Sequence, residues 1–470
     1  YGSSIGAPGY TGPFCLSCDL KNNYASSGFE CIKCPPLWEG LLTLGSIQLL
    51  IFILEIGYIW YFRKINKSLI INNKYNKKFV DRVARGGYMT IILDYLQIIT
   101  ILKNYPLIMT GFITGVSHIG SPSQTLLYSA DCVFLQLGTP IEDLFYTKLV
   151  AIVSLPFIKL GLCVLFAIVK KFLYKNYRFD AYLVVAVQCL ILIEQPSMLY
   201  TLSSSLVCKS SDPLNPDQSS VPYYLRENPY VTCYSKKYYN YRNFLVIPML
   251  IFWGICFPVC LSIILYRNRT KLKTNEFAMK LGSQYANYRR KYYYWNLVQL
   301  TQKFILIFFA QFAMFPLKTL GLTLFAMLIV FLMIINKFQP YRNVDLQKTY
   351  IRSIYVILFT TFLAVYGYEE DELNEFISTL IIIINGAFIL FIAIKMLHLM
   401  GFRCISRVIN KILNIFSSHP KKVNFIYDDT YNHIDESVMH YEEQKESQIF
   451  GSTILKSRSS TMNKSQNKHK

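Results

Sequence analysis

Four cysteines near the amino end, Cys15, Cys18, Cys31 and Cys34, form two CxxC pairs separated by twelve residues. On spacing alone such a quartet can hold a tetrahedral zinc ion through four thiolates. Further along, Glu55, Asp94, Lys159, Glu194 and Lys303 interrupt long apolar runs. Ionisable groups in apolar surroundings either neutralise one another or line a path for ions or protons. Acidic residues gather once more at Glu369, Glu370, Asp371, Glu372 and Glu375, a run suited to concentrating cations. Catalytic constellations are not evident. The six histidines show no HExxH spacing, no glycine-rich phosphate loop occurs, and His433 and His440 fall in a polar tail. The chain is therefore expected to have no cofactor and not to be an enzyme.

The elements that must position these residues are apolar stretches of roughly 20 residues, the length one helix needs to cross a bilayer. They lie at 37–62, 86–105, 148–169, 181–203, 244–266, 295–315, 320–335, 350–368 and 376–400. Composition agrees, with 53% hydrophobic residues over 470 positions and a mean hydropathy of +0.30. The net charge of +20 does not point to nucleic acid, because the basic residues form no single face. They fall in alternate gaps: about eight Lys/Arg in each of 63–85 and 267–291, and about four in each of 170–178 and 337–352. Segments 106–147 and 367–375 have none. Basic loops stay cytoplasmic, so nine spans place the amino end outside and the tail inside. Aromatic runs such as Tyr292-Tyr293-Tyr294-Trp295 suit headgroup depth, and Pro156, Pro196, Pro248 and Pro258 fall inside spans.

That topology changes the reading of the cysteines. A quartet outside the membrane faces oxidising conditions, which predicts disulfides rather than zinc. Four cysteines allow three pairings, and the crossed one, Cys15–Cys31 with Cys18–Cys34, is adopted. Cys208 and Cys233 share the long outer loop and are expected to bridge, with Cys132 as a competitor for either. Depth estimated from the topology puts Lys159 and Glu194 together near the midplane. Glu55, Asp94 and Lys303 lie in the inner half, where one acid is expected to partner Lys303. Structural ion pairs and an ion path are both open readings. The outer acidic run sits in a loop too short for a pore helix and filter, which favours a solvated turn.

After the last span, Ile405, Val408, Ile409, Ile412 and Phe416 recur at helical spacing beside Arg403, Arg407 and Lys411. A basic amphipathic helix over 401–418, lying on anionic inner-leaflet lipids, fits that pattern, and a continuation of the ninth helix into the cytosol fits it equally. Cys404 is a candidate lipidation site by position, and 419–470 reads as a disordered cytoplasmic tail. The start Tyr-Gly-Ser-Ser has no Met, so the chain is expected to be a fragment with an upstream portion.

Short motifs carry a resemblance. The run Gly9-Tyr-Thr-Gly-Pro-Phe-Cys-Leu-Ser-Cys18 resembles the terminal EGF-like repeat of large protist multi-pass surface proteins. Leu93-Asp-Tyr-Leu-Gln97, Asp131-Cys132, Tyr288-Arg-Arg-Lys-Tyr-Tyr-Tyr-Trp-Asn296 and Gln339-Pro-Tyr-Arg342 are similar to patterns in that family's membrane part. That part is likened to TRP-like channels. Where the family pattern has an acid and then Arg-Lys, this chain has Asn296 and Gln302-Lys303, so the role of that acid does not carry over.

The fold class expected is an all-α membrane protein. It has about nine transmembrane helices, a disulfide-rich extracellular module over 1–36, a membrane domain over 37–400 and the tail described above. The expected function is the carboxy-terminal membrane module of a larger surface protein, a TRP-like cation channel or sensor. The rival is a non-conducting receptor or adhesion-type anchor. Expected partners are the plasma-membrane bilayer and its anionic lipids, with cations and further copies of the chain as candidates.

Overall fold

Proline, glycine and basic clusters punctuate the apolar runs, and helix ends fall at those marks. Pro140 and Pro316 cap the starts of two helices, and Gln339 closes one in a left-handed conformation just ahead of Pro340. The computed structural model describes residues 9–11, 17–27, 30–71, 77–102, 125–174, 178–210, 223–226, 228–313, 316–367 and 374–400. The chain divides into units Tyr1–Phe402 and Arg403–Lys470, and all described residues belong to the first. Cys15, Glu369, Glu370, Asp371, Glu372, Cys404, the 401–418 helix and the 419–470 tail lie outside them.

The described helices are α1 (Leu37–Ile71), α2 (Lys77–Ile101), α3 (Thr125–Gln136), α4 (Ile141–Leu173), α5 (Phe179–Ser204) and α6 (Lys236–Arg267). They continue with α7 (Asn275–Tyr285), α8 (Trp295–Phe312), α9 (Leu317–Phe338), α10 (Val344–Gly367) and α11 (Asn374–Leu399). Short strands sit between them: β1 (Tyr10–Thr11), β2 (Ser17–Cys18), β3 (Tyr24–Ser27), β4 (Glu30–Lys33), β5 (Cys208–Ser210), β6 (Tyr223–Leu225) and β7 (Asn228–Thr232).

Among the described residues, seven helices are long and apolar enough to cross a membrane: α1, α4, α5, α6, α9, α10 and α11. This is a multi-pass membrane arrangement with fewer qualifying helices than the nine expected. The second and sixth stretches are helical too, as α2 and α8, but polar side chains dilute them. Asp94 and Gln97 lie on α2, and Asn296, Gln299, Gln302, Lys303 and Gln311 lie on α8; all seven are buried.

Helix α5 is the hub. Its apolar stretch is 78% buried, against 11% for α1, whose Leu41, Leu42, Leu49, Leu50, Ile53 and Leu54 stay exposed. Around α5 pack α1, α2, α4, α6, α7 and α8, while α2 forms the seam to α10 and α11.

At 35 residues α1 is roughly 52 Å long, more than a bilayer core requires. Its last turns pack against α7, where Asn66 Nδ2 donates to the Met279 carbonyl at 3.2 Å. A Cβ at Gly282 would lie 2.5 Å from the Leu69 Cδ1 methyl, so a larger residue there would require the Leu69 side chain to shift. Nearby, two loops join. Arg289 N donates to the Pro340 carbonyl at 2.8 Å, and Arg342 N donates to that of Asn287 at 2.9 Å. Tyr288 donates to Gln299 Oε1 at 2.7 Å, and Gln299 Nε2 donates to the Tyr341 oxygen at 3.2 Å. Burial pushes both phenols well above their ordinary range, so they stay protonated.

On the opposite side, β1 pairs with β2, β3 with β4, and β5–β6–β7 form a sheet, each antiparallel. The crossed disulfide pairing does not form. Cys18 pairs with Cys31, and Cys34 pairs with Cys132. The cause is packing: β2 lies beside β3, whose hairpin partner β4 carries Cys31, while Cys34 leaves the hairpin next to α3. There Gln136 Nε2 donates to the Pro35 carbonyl at 2.7 Å. Cys208 pairs with Cys233 as expected, which frees Cys132 for Cys34.

The Cys34–Cys132 link closes a loop with a sequence separation of 98, worth on the order of 4 kcal/mol of unfolded-chain entropy. Non-reducing peptide mapping should recover a Cys34–Cys132 cross-linked pair. Cys132→Ser should expose the Cys34 thiol and lower the unfolding temperature. Recovery of a Cys18–Cys34 peptide instead would refute the arrangement.

Candidate functional site

All five charges that interrupt the apolar runs are buried and lie on five helices: Glu55 on α1, Asp94 on α2, Lys159 on α4, Glu194 on α5 and Lys303 on α8. Each of the five approaches an opposite charge. Lys159 Nζ lies 2.6 Å from Glu194 Oε1 and 2.7 Å from Glu55 Oε1. Lys303 Nζ lies 2.5 Å from Asp94 Oδ1 and 2.6 Å from Gln97 Oε1. The Lys159–Glu194 contact is the one that topology places at the midplane. Glu55 joins it, although its depth had made it one of two candidates to meet Lys303. Asp94 takes that partner because α2 packs directly on α8.

Proline determines how the two clusters connect. Pro196 has no N–H, so the carbonyl of Leu192, four residues earlier, loses its helical donor. Gln97 Nε2 supplies the replacement, donating to Leu192 O at 3.0 Å and to Ile193 O at 3.2 Å. Glu194 follows immediately. A polar chain thus runs from Glu55 and Lys159 to Glu194, along the α5 backbone to Gln97, and on to Lys303 and Asp94.

The same device recurs one residue before the proline. Gln195 Nε2 donates to the Trp253 carbonyl at 3.0 Å. Trp253 lies in a π-turn, Phe252–Cys256, where the Phe257 N–H reaches back to Phe252 O. In that register the next donor would come from Pro258, which has none. A second π-turn, Arg242–Val246, likewise ends just before Pro248.

Toward α10 and α11 the network continues through Asn385. Its Nδ2 donates to Thr360 Oγ1 at 3.0 Å and to Ile381 O at 2.7 Å, and Tyr95 donates to its Oδ1. A small cleft, with room for about one water, opens between α1, α2, α5, α7 and α8 and is lined by Tyr58, Thr90, Ser283, Gln284 and Asn296.

Chemically, this arrangement acts as a joint. Breaking a buried ion pair by removing one partner costs about 3–5 kcal/mol, because the other charge is stranded. Sequence reasoning singled out the five charges but missed Gln97, Gln195 and Asn385 as their supports. The legible signal was an amide residue inside an apolar run, with a proline on a neighbouring run. No group of three or more His, Cys, Asp or Glu residues among those described is placed to hold a metal. Glu375 lies in the first turn of α11 and is exposed.

On α3, Asp131, adjacent to the disulfide-bonded Cys132, binds Lys148 of α4 at 2.6 Å. Tyr230 on β7 donates to the Cys18 carbonyl at 2.8 Å. The cysteine module is therefore held at two places, covalently to α3 and by hydrogen bond to the outer sheet.

Over 96 residues the chain is 30% identical to Cysteine repeat modular protein A of Toxoplasma gondii. The match covers 20% of this chain and 3% of that protein, so the chain spans a small fraction of its relative's length. No family model matches the chain, and no solved structure matches it. The likeness is to a cysteine-repeat protein, in keeping with the disulfide-bonded segment and the apolar helices; it shows no TRP-like family.

Two stability measurements check the joint. Lys303→Met should destabilise the folded protein by about 3–5 kcal/mol, and adding Asp94→Asn should recover most of that loss. Gln97→Leu should cost about 1–3 kcal/mol by stranding the Leu192 carbonyl and one Lys303 donor. In a Pro196→Ala background, where the helix supplies its own N–H, that cost should shrink. Strict additivity of the two substitutions in thermal unfolding would rule out the proposed link.

Proposed function

We propose that this chain is the membrane module of a larger surface protein, acting as a receptor or adhesion-type sensor that ties an outer cysteine-rich segment to a bundle of nine membrane-crossing helices. The observation that carries this reading is the clamp on the module. The Cys34–Cys132 bond and the Tyr230–Cys18 contact leave the strands before α1 little freedom to move without moving α3 and the outer sheet. Load or ligand binding further outside would be delivered to the bundle through that clamp.

Nine crossings are supported by the interior position of α2 and α8. Their polar residues face each other and α5 rather than lipid, so their modest apolarity is no obstacle. Basic loops between alternate helices favour an external amino end, a cytoplasmic tail and anionic lipids on the inner face. The plasma membrane is the compartment this reading assigns, with an EGF-like character for the cysteine segment and no role in catalysis or nucleic-acid binding.

A TRP-like cation channel is the second reading. It is favoured by the two acids that share one lysine at the midplane, an arrangement with more negative than positive charge. Lateral association of several copies would be required to surround a pore. Planar-bilayer recording of the purified chain separates the two. A sensor or anchor module stays electrically silent. Unitary currents whose ion selectivity changes in Glu194→Gln, with normal folding, would replace the first reading with the second.

A further inference from the structure

The triad of Glu55, Lys159 and Glu194 does not balance. Two carboxyls meet one ammonium, and all three side chains are almost fully buried: 3%, 3% and 0% exposed. With every group ionised, the cluster holds one excess negative charge in a region where a lone charge is expensive. Two carboxylates that contact the same Nζ must also lie close to each other, and like charges at such range cannot both be retained without a further positive charge.

Among the described residues, Lys159 is the one cation within ion-pair distance of the two carboxyls. From α4 the cluster is faced by Lys159 and Cys163, and from α5 by Glu194 itself. Asp94 and Lys303 are paired with each other, beyond the Gln97 contact with the Leu192 and Ile193 carbonyls. A second observation points the same way. Glu55 Oε1 accepts from Lys159, but Glu55 Oε2 is buried with no hydrogen-bond partner. A carboxylate oxygen in that position lacks a donor; a carboxylic acid would supply its own.

We infer that Glu55, Lys159 and Glu194 form a binding site for a single proton, held between the two carboxyls. Binding converts one carboxylate to a carboxylic acid whose O–H donates to the other, and the proton comes from bulk water with no other bond changed. The loaded site is neutral overall, with one acid, one carboxylate and one ammonium. The unloaded site carries the excess charge and pushes α1 and α5 apart around Lys159. The site is independent of whether the module senses or conducts.

The test is infrared spectroscopy of the full 470-residue chain in lipid nanodiscs at neutral pH. The wild type should show the carbonyl stretch of a buried protonated carboxylic acid, shifting in deuterated water. Glu55→Gln and Glu194→Gln each leave one carboxylate against one ammonium, so each should fold and each should lose that band. The double variant Asp94→Asn with Lys303→Met should keep it. Raising the pH should remove the wild-type band and lower the wild-type unfolding temperature more than that of Glu55→Gln. Absence of the band from the wild type overturns the proposal without any variant, as does an undiminished band in either folded Gln variant.

Discussion

Hydrocarbon solvates neither a carboxylate nor an orphaned carbonyl, and the stretch of α5 from Leu192 to Glu194 presents both. Most of the bundle is arranged to answer that demand. Pro196 frees the Leu192 carbonyl, Gln97 reaches across from α2 to satisfy it, and Lys303 comes from α8 to meet Gln97 and Asp94. Lys159 and Glu55 arrive from α4 and α1 to meet Glu194. Helices in lipid gain little from apolar burial against one another, so such polar contacts specify which helices are neighbours. Helix α5 is the hub because it carries the groups that could not face lipid.

Much of this was legible in residue order, for definite reasons. Apolar length located every long helix, because bilayer thickness imposes the scale. Burial of Glu55, Asp94, Lys159, Glu194 and Lys303 followed from their cost in lipid. Their exact pairing did not follow, because depth along the normal says nothing about position around a helix. Glu55 and Asp94 had both been candidates for Lys303, and only packing decides that α2 rather than α1 touches α8. The count of spans suffered from the converse effect. Asp94, Gln97, Gln299, Gln302 and Lys303 dilute α2 and α8, although the contacts of Lys303 with Asp94 and Gln97, and of Gln299 with Tyr288 and Tyr341, are what make those residues acceptable inside.

The cysteines illustrate a different limit. CxxC spacing at Cys15, Cys18, Cys31 and Cys34 invites a local solution, and a local pairing was chosen. The partner of Cys34 is instead Cys132, beyond two long helices, and spacing cannot reveal a neighbour created by the return of the chain. Antiparallel threading brings the segment before α1 and the segment before α4 to one side. Any two cysteines left on that side compete on geometry rather than on sequence distance.

The motifs that suggested a resemblance fall at the joints rather than at any open site. Asp94 and Gln97 hold Lys303, and Tyr95 holds Asn385. Cys132 and Asp131 secure the outer clamp. Tyr288 and Tyr341 meet where two loops are zipped together by Arg289, Pro340, Asn287 and Arg342. Residues that close a buried polar contact are constrained by their partner's position, so a similarity concentrated there speaks first about architecture. Such a frame can serve sensing or conduction equally well. Function must then be sought where the frame is asymmetric in charge or covalently tied to the exterior. Those two places are the triad around Lys159 and the clamp at Cys34.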